Sequence, residues 1–289
     1  MDLRAILMGL AFAAMWSSAF TSARIIVAAA PPLSALALRF LISGLLAVLI
    51  AKAMGQSWHL TRAQWRATVI FGICQNALYL GLNFVAMQTV QASLAAIIAS
   101  TMPLLVAFAG WAFFRESIRP LGIFGLLAGL AGVSLIMGAR LQGGVDLFGL
   151  ALCGLGVLSL TAATLAVRGA TSGGNFLMVV GLQMLVGSAV LWVPALAFET
   201  LVIDWSWQLV AAFLYTTLVP GLAATLVWFL LVDRIGAVKA ATFHFLNPFL
   251  GVAIAAALLG EALGPGDVLG VAIIAMGILA VQVSRQSKV

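Results

Sequence analysis

Charge is what this sequence has least of. Its 289 residues include 14 Lys and Arg and 8 Asp and Glu, so charged residues make up 8% and hydrophobic ones 64%. A soluble domain carries about 25% charged and about 45–50% apolar residues. Too little polar surface exists here to cover a soluble globule, and the chain is too apolar for disorder. Cysteine is scarce as well. Cys74 and Cys153 both lie inside apolar runs without CxxC spacing, which argues against disulfide or metal roles and leaves them as small buried hydrophobes. His59 and His244 are the only histidines, and there is no HExxH and no GxSxG, so neither metal ligands nor a nucleophile and base for an intramembrane enzyme can be assembled. A phosphate-cradling Gly-rich loop with its Lys is also missing, so ATP is not used directly and no cofactor is implied. The net charge of +6 does not indicate nucleic acid, because the basic residues are scattered and form no patch interleaved with aromatics.

What the sequence has is apolar length. A spanning helix needs about 20 apolar residues, so the chain has room for roughly ten to twelve. Short polar or Gly/Pro breaks divide it into ten predicted spans: 5–27, 33–53, 65–87, 92–114, 120–139, 147–168, 175–197, 208–232, 239–259 and 267–284. Most breaks suit only tight helical hairpins, and none holds an extramembrane domain. One face of the membrane receives eleven Lys and Arg residues, among them Arg62, Arg66, Arg115, Arg119, Arg168, Arg234, Lys239 and Lys288. The other receives Arg24 and Arg140, along with Asp146, Glu199, Asp204, Glu261 and Asp267, and Trp205 and Trp207 as interface anchors. The positive-inside rule therefore predicts that both termini are cytoplasmic.

The chain also repeats itself. At an offset of 145, Pro103 meets Pro248, Glu116 meets Glu261 and Pro120 meets Pro265; Gly9, Gly125 and Gly132 meet Gly154, Gly270 and Gly277. Pro and Glu are scarce here, so chance is a poor explanation. The halves are 1–140 and 146–285, each with five spans. Five is odd, so the second half enters the membrane inverted. Inverted repeats are a signature of secondary transporters, whose substrate sites lie near the repeat interface.

These residues carry a family resemblance. Phe114-Arg115-Glu116, Pro120, Gly125 and Gly132 close one half; Gly260-Glu261, Pro265, Gly270 and Gly277 close the other. Trp16-Ser17-Ser18-Ala19-Phe20 and Leu38-Arg39-Phe40 complete the pattern. The sequence resembles the drug/metabolite transporter superfamily, in its ten-helix branch with two EamA-type repeats. Within that branch it is most similar to the YddG-type aromatic amino acid exporters of bacterial inner membranes. The resemblance implies export of amino acids, aromatic ones included.

Polar groups inside a bilayer are costly and face a cavity or a partner helix. In the third span Gln75, Asn76, Tyr79 and Asn83 fall within an arc of about 100°. Solute lining and interhelical glue both explain such a stripe; four on one face favour lining. In the ninth span Ala240, His244, Asn247 and Gly251 share a stripe, and Pro248 removes a backbone hydrogen bond beside it. The first span places Ser17, Thr21 and Arg24 on one face, next to Trp16. Ser100 and Thr101 precede Pro103 in the fourth span. The eighth carries Tyr215, Thr216, Pro220-Gly221, Thr225 and Trp228. Candidate solute contacts are thus Trp16, Ser17, Gln75, Asn76, Tyr79, Asn83, Ser100, Tyr215, Trp228, His244 and Asn247. Pro103, Pro220, Gly221 and Pro248 are candidate hinges, with static bends as the plainer reading. Pro220 stands at the repeat position of Gln75, a kink in one half and a polar group in the other. Arg39, two turns inside the second span, is expected to snorkel to the nearby outer interface; pairing with a solute carboxylate is the sharper alternative.

No span contains a central Asp or Glu, which argues against cation–proton antiport and metal pumping. The solute is then a zwitterion, a neutral molecule or an anion. For an aromatic amino acid, Trp16, Tyr79, Tyr215 and Trp228 offer rings, and amides, His244 or helix ends offer donors for the carboxylate. The sequence predicts an all-α membrane protein with ten transmembrane helices as two inverted five-helix repeats around a central cavity. Its partners are a small-molecule solute and the lipid bilayer, with no metal. Another neutral or anionic metabolite or drug, or a passive channel, remains the alternative.

Overall fold

The computed structural model describes residues 3–115, 117–142, 144–166, 173–236 and 240–286. Glu116, Arg168, Lys239 and Lys288 lie outside the described residues. Those described are helices and their connections, without a strand. Ten helices are long and apolar enough to span a membrane: α1 Leu3–Ala29, α2 Pro32–Ala53, α3 Arg62–Ala86, α4 Ala92–Phe114, α5 Pro120–Gly138, α6 Leu147–Ala166, α7 Phe176–Phe198, α8 Trp207–Val232, α9 Thr242–Leu259 and α10 Pro265–Ser284. Apart from the predicted ends at 168 and 239, which lie outside the described residues, no predicted end lies more than three residues from the observed one.

Local chemistry sets these ends. α3 starts on a capping box: the Gln64 amide donates to Thr61 Oγ1 at 3.3 Å, and the Thr61 amide donates to Gln64 Oε1 at 2.9 Å. α8 starts with the Leu209 amide donating to Ser206 Oγ at 3.1 Å. α4 and α9 end at repeat-equivalent residues in left-handed conformation, Arg115 at φ 54° and Gly260 at φ 66°. Glycine adopts that conformation without the steric cost of a Cβ, whereas Arg115 bears it.

Four spans are interrupted, again at matching places. α3 widens into π-helical turns over Gly72–Tyr79 and α8 over Val219–Ala223. Pro220 therefore does not distinguish the halves as kink against polar group: the segment around Gln75 is irregular without a proline. α4 breaks at Thr101 before Pro103, and α9 opens with a 3₁₀ turn, Thr242–Leu246, before Pro248. Both prolines sit in the first turn of the helix that follows, where a missing N–H costs nothing.

The chain divides into two compact units, each drawing on both repeats. The first comprises the described residues within 1–21, 89–150 and 224–289, which include α4, α5, α9 and α10. Here α5 and α10 cross on glycines. A Cβ on Gly125 would lie 2.6 Å from the Gly277 carbonyl oxygen, and one on Gly132 would lie 2.8 Å from that of Gly270. Gly125 and Gly270 are repeat equivalents, as are Gly132 and Gly277, so each contact pairs one half's first glycine with the other's second. Only antiparallel helices related by a local two-fold meet in this way. Lipid gives helices no hydrophobic drive to associate, so small residues that let backbones approach carry such crossings.

The second unit comprises the described residues within 22–88 and 151–223, with α2, α3 and α7 whole. α2 and α7 cross at Gly44 and Gly181, where a Cβ on either would lie 3.0 Å from the other's carbonyl oxygen. Their ends are tied reciprocally. Leu33 and Ser34 at the start of α2 donate backbone N–H groups to the Glu199 carboxylate at 2.7 and 2.8 Å. Leu177 and Met178 at the start of α7 donate theirs to Gln56 Oε1, both at 3.0 Å. In the first unit, Ala92 and Ser93 at the start of α4 donate to Glu261 at 2.7 and 3.0 Å. Orphan helix donors are thus satisfied within the fold.

Candidate functional site

Four rings gather in the first unit. Phe12 is buried, and Trp228 stands 4.8 Å from it, His244 5.3 Å and Trp16 5.7 Å, centroid to centroid. His244 lies 5.2 Å from Trp228 and stands edge-on to Trp16 at 6.5 Å and 90°. Such tilted and edge-to-face distances are the favoured ones for aromatic pairs. Three elements supply the cluster: α1, the last turns of α8 and the 3₁₀ turn of α9. They are held together below it by Ala5, Leu231, Ala240 and Phe243. Gly9 makes the seat for Phe243, since a Cβ there would come within 2.3 Å of that ring. Phe12 escaped the sequence reading, although its place four residues before Trp16 puts it on the same helix face.

Trp16, Trp228 and His244 are each only half-buried. Polar groups hold the His ring. Ser17 Oγ donates to the Asn247 side-chain oxygen and to its backbone carbonyl, long contacts of 3.5 and 3.4 Å. That orientation turns the Asn247 amide nitrogen toward His244 Nδ1, 3.0 Å away. An amide nitrogen only donates, so Nδ1 accepts and the imidazole proton resides on Nε2. The assignment follows from the network of partners. The result is a wall of partly open rings bearing one oriented, uncharged donor. Ser17, Trp16, Trp228, His244 and Asn247 are thus brought together as candidates. Ser100 is in the same unit but is turned onto its own helix, donating to the Ala96 carbonyl at 2.6 Å. Thr21 keeps a buried hydroxyl with no partner among the described residues.

In the second unit the stripe on α3 meets neighbouring helices. Asn76 packs where a Cβ on Gly187 of α7 would approach its own Cβ at 2.5 Å, and the Asn83 amide nitrogen sits 2.7 Å from the Cβ position of Gly156 on α6. Asn83 Nδ2 donates to the Tyr79 carbonyl at 2.8 Å, while its Oδ1 is buried without a partner among the described residues. Tyr79 is 3% exposed, Gln75 half-buried and Tyr215 39% exposed. The two asparagines therefore occupy helix contacts, with Gln75 left the more open of the amides.

Arg39 does not snorkel. It is 6% exposed, and its Nε donates to the Thr216 carbonyl on α8 at 3.2 Å. Arg24, grouped above with the interfacial residues, donates to the Met87 carbonyl at the end of α3. Among the described residues no group of three or more His, Cys, Asp or Glu side chains is arranged to hold a metal.

A helical protein with ten membrane spans in two sets of five, carrying half-buried rings and neutral hydrogen-bonding groups within its spans, has the architecture of a multi-pass membrane transporter. The chain belongs to the EamA-like transporter family, which it matches over residues 3–138 and again over residues 147–282. It is 25% identical over 275 residues to the uncharacterized transporter YvbV of Bacillus subtilis (strain 168), covering 95% of this chain and 90% of that protein. It is also 25% identical over 299 residues to the uncharacterized transporter sll0355 of Synechocystis, covering 95% and 88%. A solved crystal structure superposes over the full length of both chains with a TM-score of 0.68 at 21% identity, which supports the fold.

Proposed function

We propose that this protein exports small polar organic metabolites, foremost amino acids including aromatic ones, from the cytoplasm of a bacterial cell. It does so in the inner membrane, with both termini cytoplasmic, by alternating access. The observation that carries this reading is the half-buried wall of Trp16, Trp228 and His244, on which Asn247 orients a neutral donor. The rings suit a planar apolar side chain, and Nε2–H suits a carboxylate or carbonyl oxygen. The resemblance to YddG-type exporters points the same way. Pro103, Pro220, Gly221 and Pro248 lie at the helix interruptions and serve as hinges in this reading.

The test is uptake and counterflow of a radiolabelled amino acid panel in proteoliposomes. Saturable, trans-stimulated flux of phenylalanine, tyrosine or tryptophan is expected. Trp228→Ala and His244→Ala should each reduce it about tenfold, the scale of one lost hydrogen bond or ring contact. His59→Ala, in an exposed loop, should leave it unchanged. Normal flux in both site variants removes the wall from the mechanism, and unsaturable flux without counterflow indicates a pore.

A further inference from the structure

The second unit holds a buried cation that the transport reading above leaves unused. Arg39 lies seven residues into α2, about 10 Å below the start of the helix at 1.5 Å per residue. The structure gives a physical reason for its position. Pro220 has no backbone N–H, so the carbonyl of Thr216, four residues earlier on α8, loses its usual helical donor. Arg39 Nε replaces that donor at 3.2 Å. The guanidinium also lies 5.1 Å from the buried ring of Phe40, and its backbone carbonyl receives the Ser43 hydroxyl at 2.5 Å. These contacts engage Nε and one face of the group. Its two terminal NH₂ groups, the fork that binds a carboxylate with two parallel hydrogen bonds, have no carboxylate partner among the described residues. Gly221 places no side chain against one of them: a Cβ at 221 would lie 3.1 Å from the Thr216 carbonyl oxygen, 3.5 Å from Nη2 and 3.9 Å from Ser43 Oγ. The other repeat carries no such charge. Met184, which is uncharged, stands at the position of Arg39 at the offset of 145.

A charge in a membrane span without a counter-charge is expensive, and such a residue is retained where something anionic comes to it. We propose that Arg39 is the anion site of this transporter, receiving a carboxylate of the solute on its terminal NH₂ groups. Pro220 and Gly221 act as positioning residues: one gives no N–H to the carbonyl that anchors Nε, and the other puts no side chain against Nη2. The transport reading enters only in naming the ligand a solute; the site itself does not depend on it.

The test is binding of benzoate, a ring-borne carboxylate, to the detergent-solubilised full chain by calorimetry, with benzamide as the uncharged isostere. Saturable benzoate binding is expected, with benzamide at least about tenfold weaker, as for loss of a charge-assisted pair. Arg39→Gln should remove the preference for benzoate, and Arg39→Lys should weaken it by keeping the charge without the fork. If Arg39→Gln does not fold, Pro220→Ala carries the test. It returns an N–H to the Thr216 carbonyl and should weaken benzoate binding several-fold with undiminished thermal stability. No saturable benzoate binding in the native chain, or equal binding in the variant carrying the test, overturns the proposal. So does displacement of benzoate by chloride at equal concentration, which would assign the site to a small inorganic anion. Benzoate binding lost with Arg39 while no amino acid is transported sinks the proposed function alone. Amino acid flux with benzoate binding indifferent to Arg39 sinks this proposal alone.

Discussion

Gly125 and Gly277 meet across the α5–α10 crossing with no side chain between them; a Cβ on either would lie 2.6 Å from the other's carbonyl oxygen. Backbone cannot move aside as the tip of a flexible side chain can. Gly277→Ala should therefore destabilise the protein by about 1–3 kcal/mol, the cost of overpacking, despite the better helix propensity of alanine. Gly154→Ala makes the control, since nothing lies within 4 Å of its Cβ position. It should leave the thermal midpoint in detergent unchanged or raised. Equal effects of the two substitutions would show that the crossing is not close.

Glu199 fixes α2 against α7 by receiving two backbone N–H groups and the Ser34 hydroxyl, the last at 2.7 Å. Glu199→Ala leaves all three without their acceptor. A loss of about 1.5–3 kcal/mol is expected, the range for hydrogen bonds to a charged group. Glu199→Gln should recover part of it, because one amide oxygen still accepts, as Gln56 does at the other end of the pair. Chemical denaturation in detergent measures both.

The ten spans were legible in the sequence because a bilayer demands long apolar runs with internally satisfied backbones, and few other arrangements meet that demand. The repeat was legible because proline and glutamate are rare enough here for their spacing to be informative. The ring cluster was half legible: Trp16, Trp228 and His244 stood out as rare residues in spans, while Phe12, one of 17 phenylalanines, did not. Arg39 was misread because depth alone cannot separate snorkelling from burial. What decided it was the Thr216 carbonyl, to which Pro220 has no N–H to donate and Arg39 does, a contact between residues 177 apart in sequence. Asn76 and Asn83 show the converse, since a polar stripe does not reveal which glycine of a neighbouring helix will receive it.

Acid should loosen the start of α6. Thr89 Oγ1 donates to the Asp146 carboxylate at 2.6 Å, which with the backbone amides of Gly149 and Phe148 holds its pKa below the usual carboxylate value. A depressed folded-state pKa means stabilisation that is complete above the unfolded value and is lost as pH falls through the folded one. Asp146 therefore stabilises the fold at neutral pH; the contribution begins to fall below about pH 4, the ordinary range of an aspartate, and is lost as pH drops through its lower folded-state value. Asp146→Asn should lower the thermal midpoint at pH 7, and the difference from the native chain should shrink as pH falls below about 4. A constant difference between the two across that window would count against the assignment.

Orientation is tested by labelling. With Cys74 and Cys153 replaced by alanine, Ser57→Cys and Asp204→Cys place single thiols in the α2–α3 and α7–α8 connections. The excess of Lys and Arg on the side of residue 57 predicts that it faces the cytoplasm. A membrane-impermeant maleimide should modify position 204 on intact cells and position 57 only after permeabilisation. The reverse pattern would invert the proposed direction of transport.

Asn247 gives the sharpest test of how His244 works. Its amide nitrogen, 3.0 Å from Nδ1, is what keeps the ring proton on Nε2. Asn247→Asp changes little volume but replaces that donor with an oxygen that only accepts. A neutral imidazole facing it keeps its proton on Nδ1, and Nε2 turns from donor to acceptor. Solute binding through Nε2–H should then weaken by about tenfold, as a rise in KM larger than any fall in kcat, because the donor acts on the bound ground state. Ser17→Ala should do less, since its contacts of 3.4 and 3.5 Å are long and only orient the amide. If Asn247→Asp transports with an unchanged KM while His244→Ala does not, the histidine contributes its ring rather than its proton.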